Sequence, residues 1–334
     1  MSCIVTNGNK KTESEGGEES SLARSNTYAR QPLRQLRLQR NKRHSDSIPS
    51  DAVASILENP TGKPIIAQMI GEYIPALTRT ARELQQLPIV GVDLNLGCPA
   101  PVVCNKNAGG GLLRNLQKTR DILNALRDTL NDFPFTVKTR IGFDSTAAYE
   151  DFLQVFCEAQ IDLLTIHGRT VKQMYRGSPD YERIRRAVEL CPFPVLANGA
   201  VDSCSKAVTV AEQTLAPGLM IGRAAIRNPW IFAQIREQFL NQPITRPTGK
   251  EMLVYLRDLY ETVRPEGIQP EKHVQKIKKY MNYVGMGLEP TGQFLHRIRR
   301  VNNESDFWKV VEDFLNHDDP IPLEPIPFDM DRPL

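Results

Sequence analysis

The sequence predicts an α/β fold built on a parallel sheet, and two observations carry that prediction. Short apolar runs alternate with amphipathic stretches between Pro64 and Ile221, a pattern typical of parallel strands covered by helices. Most of these runs also end in a polar residue or a glycine, and functional groups at the ends of many strands are typical of a TIM-type barrel. We therefore predict a (β/α)8 TIM-type barrel followed by a small all-helical domain. A doubly wound sheet is the alternative, but the glycine-rich turn that such a sheet carries after its first strand is missing.

The individual elements follow from the periodicity of the apolar residues. Strands are predicted at residues 64–70, 89–96, 135–141, 163–167, 194–197 and 218–221. Helices are predicted between them at 75–86, 117–131, 147–160 and 180–190. Beyond Trp230 the pattern becomes helical throughout, because apolar residues recur every three or four positions in 253–263 and 274–284.

The composition divides the chain into four predicted segments. Residues 1–50 form a polar arm that we expect to be disordered, and its part from Arg24 to Arg43 carries seven basic residues and no acid. This arm is either a solvated basic tail or an RNA-binding arm. Residues 51–240 form the barrel and residues 248–316 the helical domain, with a linker near 240–248. Residues 317–334 form a proline-rich tail, extended on the surface or disordered.

Charge and cysteine content restrict the class of protein. The net charge of +3 is too small to indicate a nucleic-acid partner by itself. The six cysteines are scattered and contain no Cys-x-x-Cys pair, which favours a reducing, cytoplasmic location without disulfides or a zinc site. No run approaches the roughly 18 apolar residues that a membrane span needs. We expect a monomer that binds no metal and no membrane.

The candidate active site begins at the end of the second predicted strand. Asn95 and Cys98 follow an apolar run that a glycine and a proline terminate, so both are expected at the edge of the sheet where catalysis takes place. The glycines of 109–111 allow the backbone to pass close to another group before a helix begins near Leu112. A cysteine at a strand end is often only a small apolar residue; its position here favours a functional role.

Other strand ends carry further candidates. Gln68 ends the first predicted strand and His167 ends the fourth. Lys138 and Arg140 are two residues apart in the third strand, so their side chains are expected on the same side of it. A buried lysine is costly unless it meets an anion or an electron-rich ring. Asn198 and Gly199 end the fifth strand, and Gly222 and Arg223 end the sixth, where barrels commonly hold a phosphate. Taken singly, Lys138 could be a surface lysine and His167 a hydrogen-bonded core residue.

Six motifs resemble, in order and spacing, those of the tRNA-dihydrouridine synthases: D-L-N-L-G-C-P-A-P at 93–101, A-G-G-G-L-L at 108–113, V-K-T-R-I-G at 137–142, I-H-G-R-T at 166–170, N-G at 198–199 and I-G-R-A at 221–224. The resemblance extends from about Asn59 to Phe307. The segment L-H-R-I-R-R-V-N-N at 295–303 is most similar to the bacterial C-type branch of the family.

This resemblance implies an enzyme that uses FMN and NADPH to reduce the C5–C6 bond of a uridine in tRNA. It implies that Gln68 and Lys138 contact the flavin ring and that His167 lies beside it. It further implies that the ribityl phosphate is held by Asn198, Gly199, Ala200, Gly222 and Arg223. Asn95 would contact the uracil, with Arg140 also on the substrate side, and Cys98 would give the proton to C5. A thiol suits this role, because a free thiol is mostly protonated at neutral pH.

A basic stripe in the predicted helical domain is the candidate tRNA surface. Lys272, Lys276 and Lys279 are four and three residues apart, so they share one helical face. Such stripes are usually only solvated, but next to this barrel we expect them to contact phosphates.

The resemblance also implies that the first two βα units of the family barrel have no counterpart here, since residues 1–50 contain no run that predicts a buried strand. We therefore expect a sheet with two edges, low solubility and weak or absent FMN binding. The rival functions are a tRNA-binding protein without catalysis and an FMN barrel oxidoreductase that acts on a small pyrimidine.

Overall fold

The computed structural model describes residues 3–6 and 48–326. Most of the predicted N-terminal arm and the last residues of the tail lie outside the described residues. The sequence predicts no strand before residue 50, yet Cys3–Thr6 forms a short strand, β1. The β-branched Ile4 and Val5 favour a strand, and this signal was missed because the residues that follow them are polar.

Six further strands form a parallel sheet in which each strand pairs with the next along the chain. They are β2 (Ile66–Met69), β3 (Gly91–Leu96), β4 (Phe135–Arg140), β5 (Leu163–His167), β6 (Val195–Asn198) and β7 (Gly218–Ile221). Within the described part of the chain, β2 has no partner strand at its outer edge. The α/β class is confirmed, and parallel strands alternating with helices fit a TIM-type fold.

In the described part of the chain, seven helices accompany these strands: α1 (Ser50–Glu58), α2 (Ile74–Leu84), α3 (Pro101–Cys104), α4 (Leu116–Leu130), α5 (Tyr149–Glu158), α6 (Tyr181–Leu190) and α7 (Cys204–Thr214). The four predicted helices correspond to α2, α4, α5 and α6 and match them to within about two residues, the usual uncertainty of helix ends; α1, α3 and α7 were not predicted. Asn115 caps α4 and Asp180 caps α6, each accepting a hydrogen bond from a backbone N–H of the first turn. Where a helix was expected to start near Leu112, a 3₁₀ helix already spans Gly109–Arg114.

The chain divides into two compact units. The first, the sheet unit, contains residues 34–200 and 209–220 and therefore the paired parts of β2 to β7. Its strands are buried on nearly every position, as expected for parallel strands covered by helices. The second, the helical unit, contains residues 1–33, 201–208 and 221–334. In the described part of the chain, no helix is long and apolar enough to cross a membrane.

The helical unit has its own hydrophobic core. Its helices are α8 (Ala224–Arg227), α9 (Ile231–Phe239), α10 (Gly249–Thr262), α11 (Pro270–Val284), α12 (Gln293–Ile298) and α13 (Glu304–Leu315). The predicted apolar stripes of α10 and α11 face this core, where Tyr260 lies 5.5 Å from the Phe307 ring and 5.1 Å from the Trp308 ring. Thr248 and Glu251 form a capping box that fixes the start of α10.

The first part of the proline-rich tail packs on the helical unit. Pro320 bridges to Thr248, and the buried Ile321 donates its backbone N–H to the carbonyl of Pro247. The buried Arg227 donates to the carbonyls of Pro322 and Leu323. Residues 318–326 therefore form a strap that the backbone and one arginine hold in place; the remainder of the tail lies outside the described residues.

Candidate active site

The carboxyl ends of neighbouring strands bring together most of the predicted side chains of the sheet unit. Strand register places Asn95 of β3 opposite Lys138 of β4. It places Arg140 of β4 opposite His167 of β5, and His167 opposite Asn198 of β6. Because the strands are parallel, these polar residues lie at one edge of the sheet, as the sequence predicts.

Cys98 is held by a chain of hydrogen bonds that starts at a buried carboxylate. Asp93 accepts a hydrogen bond of 2.7 Å from the Gln68 amide nitrogen and another of 2.7 Å from the Thr136 hydroxyl. The Gln68 amide oxygen accepts from the Asn95 amide nitrogen at 2.9 Å. The Asn95 amide oxygen in turn accepts from the backbone N–H of Cys98 at 2.9 Å. Four residues thus fix the turn that carries the thiol.

The glycine-rich segment packs directly against that turn. The backbone N–H of Gly110 and the thiol of Cys104 both donate to the carbonyl of Cys98. A Cβ atom at Gly109 would lie 3.0 Å from the Cβ of Cys98, and one at Gly110 would lie 2.6 Å from a methyl of Val171. The close approach inferred from the three glycines is therefore an approach to Cys98 and its neighbours, which larger residues would push apart.

Lys138 is a half-buried cation whose hydrogen-bond partner is an uncharged amide. Its ammonium donates to the Asn198 amide oxygen at 3.2 Å, and the Asn198 amide nitrogen donates to the carbonyl of Met220. Burial, and then the positive charge of Arg140, lower the pKa of Lys138 to about 8. Among the described residues Lys138 forms no salt bridge within 4.0 Å. An anionic or electron-rich ligand would therefore relieve the cost of this charge.

Arg140 is only 3% exposed, and backbone groups surround its guanidinium. It donates to the carbonyls of Gly97, Thr170 and Met174, and it lies over the ring of Tyr175 at 5.4 Å. These bonds tie the segment before Cys98 to the loop after β5. The arrangement accounts for the burial of the arginine.

His167 lies against the loop that follows β6. Its Nε2 atom accepts from Arg169 at 3.1 Å, and Arg169 also donates to the carbonyl of Gly177. Gly199 has a φ of +123°, and a Cβ atom there would come within 3.0 Å of the His167 ring. Ala200 also has a positive φ, of 50°. The chain therefore turns sharply here, and only glycine fits beside the histidine.

The remaining predicted residues belong to the helical unit. Gly222 and Arg223 directly follow β7, and a Cβ atom at Gly222 would meet nothing within 4 Å. Lys272, Lys276 and Lys279 lie on α11, with Lys272 and Lys279 exposed and Lys276 half-buried. In the described part of the chain these three lysines form no salt bridge.

Sequence reasoning missed Asp93 and gave no role to Arg169. Asp93 is 7% exposed in the middle of β3, and burial raises the pKa of its carboxyl to about 6. A signal was present, because an acid inside the apolar run G-V-D-L-N-L has to find partners on neighbouring strands. The identity of those partners depends on strand register, which the sequence alone does not provide.

A model of the dihydrouridine synthase (Dus) family matches residues 38–317. The chain belongs to this family. A probable tRNA-dihydrouridine synthase of Helicobacter pylori is 37% identical over 203 residues, which cover 60% of this chain and 62% of the relative. A tRNA-dihydrouridine synthase B of Pseudomonas syringae is 38% identical over 179 residues, covering 53% of each chain. One of Pasteurella multocida is 30% identical over 229 residues, covering 67% of this chain and 68% of the relative.

The family resemblance seen in the motifs is thus confirmed. Two of these relatives are named tRNA-dihydrouridine synthase B, and the similarity of the segment at 295–303 to the C-type branch stays a prediction. The Dus chain described here spans roughly half to two thirds of the length of these relatives.

Proposed function

We propose that this Dus chain reduces a uridine of tRNA to 5,6-dihydrouridine, with FMN as cofactor and NADPH as reductant. Membership of the family supports the reaction class, and the relatives are named for tRNA and dihydrouridine. The observation that carries the proposal is the position of Cys98, whose turn is bonded to Asn95 at the same sheet edge as the half-buried Lys138. This edge thus offers a proton donor and a cation to a ligand.

The residues of the sheet unit fit a flavin. Lys138 supplies a half-buried positive charge without a carboxylate bonded to it, and a flavin ring carries carbonyl acceptors and becomes anionic on reduction. Gln68 would contact the ring and His167 would border it, while Gly199 and Ala200 supply backbone at a sharp turn. We assign Gly222 and Arg223 to the phosphate by resemblance alone. When bound, FMN supplies the hydride that NADPH provides, and C6 of the uracil receives it.

The chain itself orients the uracil and delivers the proton. Asn95 keeps one amide hydrogen beyond its bond to Gln68, which can donate to a carbonyl of the base. The thiol of Cys98 then gives its proton to C5, which carries the electron pair after hydride reaches C6. Because Arg140 is occupied by three carbonyls, we assign it a role in ordering the loops around the substrate.

A uridine in folded tRNA is stacked, so it has to be turned out of the tRNA to enter the site. Phosphate contacts hold the tRNA while this occurs. We assign such contacts to Lys272, Lys276 and Lys279, since their ammonium groups bind no acid of the described chain. A tRNA-binding protein without catalysis would share these lysines, and an oxidoreductase for small pyrimidines would not need them.

The test is the conversion of uridine in unmodified tRNA by the purified chain with FMN and NADPH, measured as the gain of two hydrogen atoms by mass spectrometry. We expect Cys98→Ala to abolish or severely slow conversion while tRNA binding persists. Cys104→Ala is the matched control, because the Cys104 thiol donates to the carbonyl of Cys98 and has no role in the proposed step. Near-normal turnover by Cys98→Ala would disprove the acid role, and absence of flavin from the wild-type chain would favour the binding protein.

A further inference from the structure

We propose that Asp93 is a positioning residue that sets the orientation of the Gln68 and Asn95 amides and, through them, the geometry of Cys98. The inference rests on the proposed function only in giving Cys98 its chemical role. Asp93 lies one row deeper in the sheet than Asn95 and Lys138, and register places it between Gln68 of β2 and Thr136 of β4.

The argument starts from what each group can donate. An ionised carboxylate only accepts hydrogen bonds, so Gln68 has to turn its NH₂ group towards Asp93, at 2.7 Å. The Gln68 oxygen then points to Asn95, which has to donate a hydrogen bond to it from its own NH₂ group, at 2.9 Å. The Asn95 oxygen is consequently left for the N–H groups of Gly97 and Cys98, at 3.0 and 2.9 Å.

One charge therefore favours one of two arrangements of two side chains. An amide can present either its oxygen or its nitrogen, and the carboxylate at one end of the Gln68–Asn95 pair favours the same arrangement as the N–H groups of Gly97 and Cys98 at the other end. In the reversed arrangement the NH₂ group of Asn95 would face the N–H groups of Gly97 and Cys98, and both would lose their acceptor. We call the series Asp93–Gln68–Asn95–Cys98 the relay.

The relay responds to the protonation of Asp93. A protonated carboxyl has a donor, so it no longer dictates which end of Gln68 faces it. Burial raises the pKa of this carboxyl to about 6, against the opposing effects of the Thr136 and Gln68 hydrogen bonds and of the Lys138 charge. Lys138 is the charged group that acts on Asp93 from β4, and Arg140 and Cys98 act on Lys138 along the same face.

The experiment measures alkylation of Cys98 by iodoacetamide between pH 5 and 8 in the purified 334-residue chain, with each cysteine followed by peptide mass spectrometry. The readout is independent of tRNA reduction, so failure of the proposed function does not decide it. Cys157 and Cys191, at α5 and the end of α6, serve as internal references. Free cysteine in the same reaction supplies the pH reference, because the rate of a simple thiol rises in proportion to hydroxide concentration over this range.

In the wild-type chain we expect the Cys98 rate to depart from that proportionality near pH 6. The expected step is about fivefold, corresponding to one hydrogen bond of about 1 kcal/mol. Asp93→Asn should lose the step, because it cannot titrate, while retaining one oxygen for Gln68. Gln68→Leu should also lose it, because the relay is cut although Asp93 still ionises.

Thr136→Val is the matched control, since it removes the other hydrogen bond to the same carboxylate and leaves the relay intact. It should keep the step and move it to higher pH. A step that survives in Gln68→Leu would show that the charge of Asp93 acts on the thiol through space, and the proposal would be wrong. The same conclusion would follow if the wild-type chain showed no step, or if all three variants behaved alike with unchanged melting temperatures.

Discussion

Lys138, whose ammonium donates to a neutral amide, is the residue at which the requirements of protein stability and of ligand binding most clearly differ. Lys138 has a pKa lowered to about 8 by burial, so at neutral pH the folded chain carries a charge that the unfolded chain would hold in water at lower cost. Such a residue has a physical reason to be retained only if a ligand uses the charge.

We therefore predict that Lys138→Met raises the stability of the flavin-free chain and abolishes flavin binding. The folded state binds fewer protons than the unfolded state between about pH 8 and the ordinary lysine pKa, so wild-type stability should rise with pH in that window. At pH 7 the gain in the variant should be about 1–2 kcal/mol, less than the full shift implies because the side chain keeps some contact with solvent. Urea unfolding and a flavin titration measure both effects, with Lys172→Met, an exposed lysine, as the control.

At the scale of single elements, α11 combines a core stripe with an outward basic face. Its buried residues include Val274, Ile277 and Met281. The lysines at 272, 276 and 279 lie on the opposite face of the helix. The neighbouring Lys278 is different, because its ammonium donates to the carbonyls of Arg299 and Val301. Three lysines of α11 are therefore available to phosphates, and the fourth holds the end of α12.

Neutralising Lys272, Lys276 and Lys279 to Gln should weaken tRNA binding and flatten its salt dependence. Each lost phosphate contact should reduce the slope of log affinity against log salt by about 0.7–0.9. Lys250→Gln is the control, because Lys250 already pairs with Asp318 at 2.7 Å. Filter binding at several salt concentrations measures the slope, and an unchanged slope in the triple variant would identify the stripe as a solvated face.

The strap formed by residues 318–326 is a second element whose role can be measured. Arg227 is buried and bonds the carbonyls of Leu323, Pro322 and Asp202. Replacing it with Met leaves these acceptors unpaired, so we expect the helical unit to lose about 2–3 kcal/mol. Lys250→Met, which breaks an exposed pair, should cost less than about 1 kcal/mol. Hydrogen exchange of α10 and α13 reports the difference; equal protection in the two variants would show that the strap adds no stability.

For the molecule as a whole, the sequence predicts the strands of the sheet far better than the hydrogen bonds that the side chains form. Strands β5 and β7 match their predicted ranges because apolar runs there stop at residues that end strands. The hydrogen-bond partners of Asp93, and those of Arg227 on the strap, join residues 25 to 96 positions apart. Such pairings follow from register and packing, and periodicity carries no information about them.

The two units are expected to respond differently to acid. In the helical unit, the buried His273 donates from Nε2 to the carbonyl of Tyr260, and its Nδ1 has no partner. Burial lowers the pKa of His273, so the folded state takes up a proton less readily than the unfolded state. Stability of this unit should therefore fall as pH drops through about 6.5, the ordinary histidine value.

In the sheet unit, the protonation of Asp93 changes stability with pH in the opposite direction. Its pKa is raised from 3.8 to about 6, so between these values the folded state binds a proton that the unfolded state does not. Its contribution to stability should rise as pH falls from about 6 towards 4.

Hydrogen exchange from pH 7.5 to 5, corrected for the intrinsic rate, should show His273→Gln protecting α10 and α11 against acid relative to the wild type. Asp93→Asn should instead lose the acid-side gain of β3 and β4. If both variants shifted both units in the same direction, the assignment of these two groups as separate, opposing titrations would be wrong.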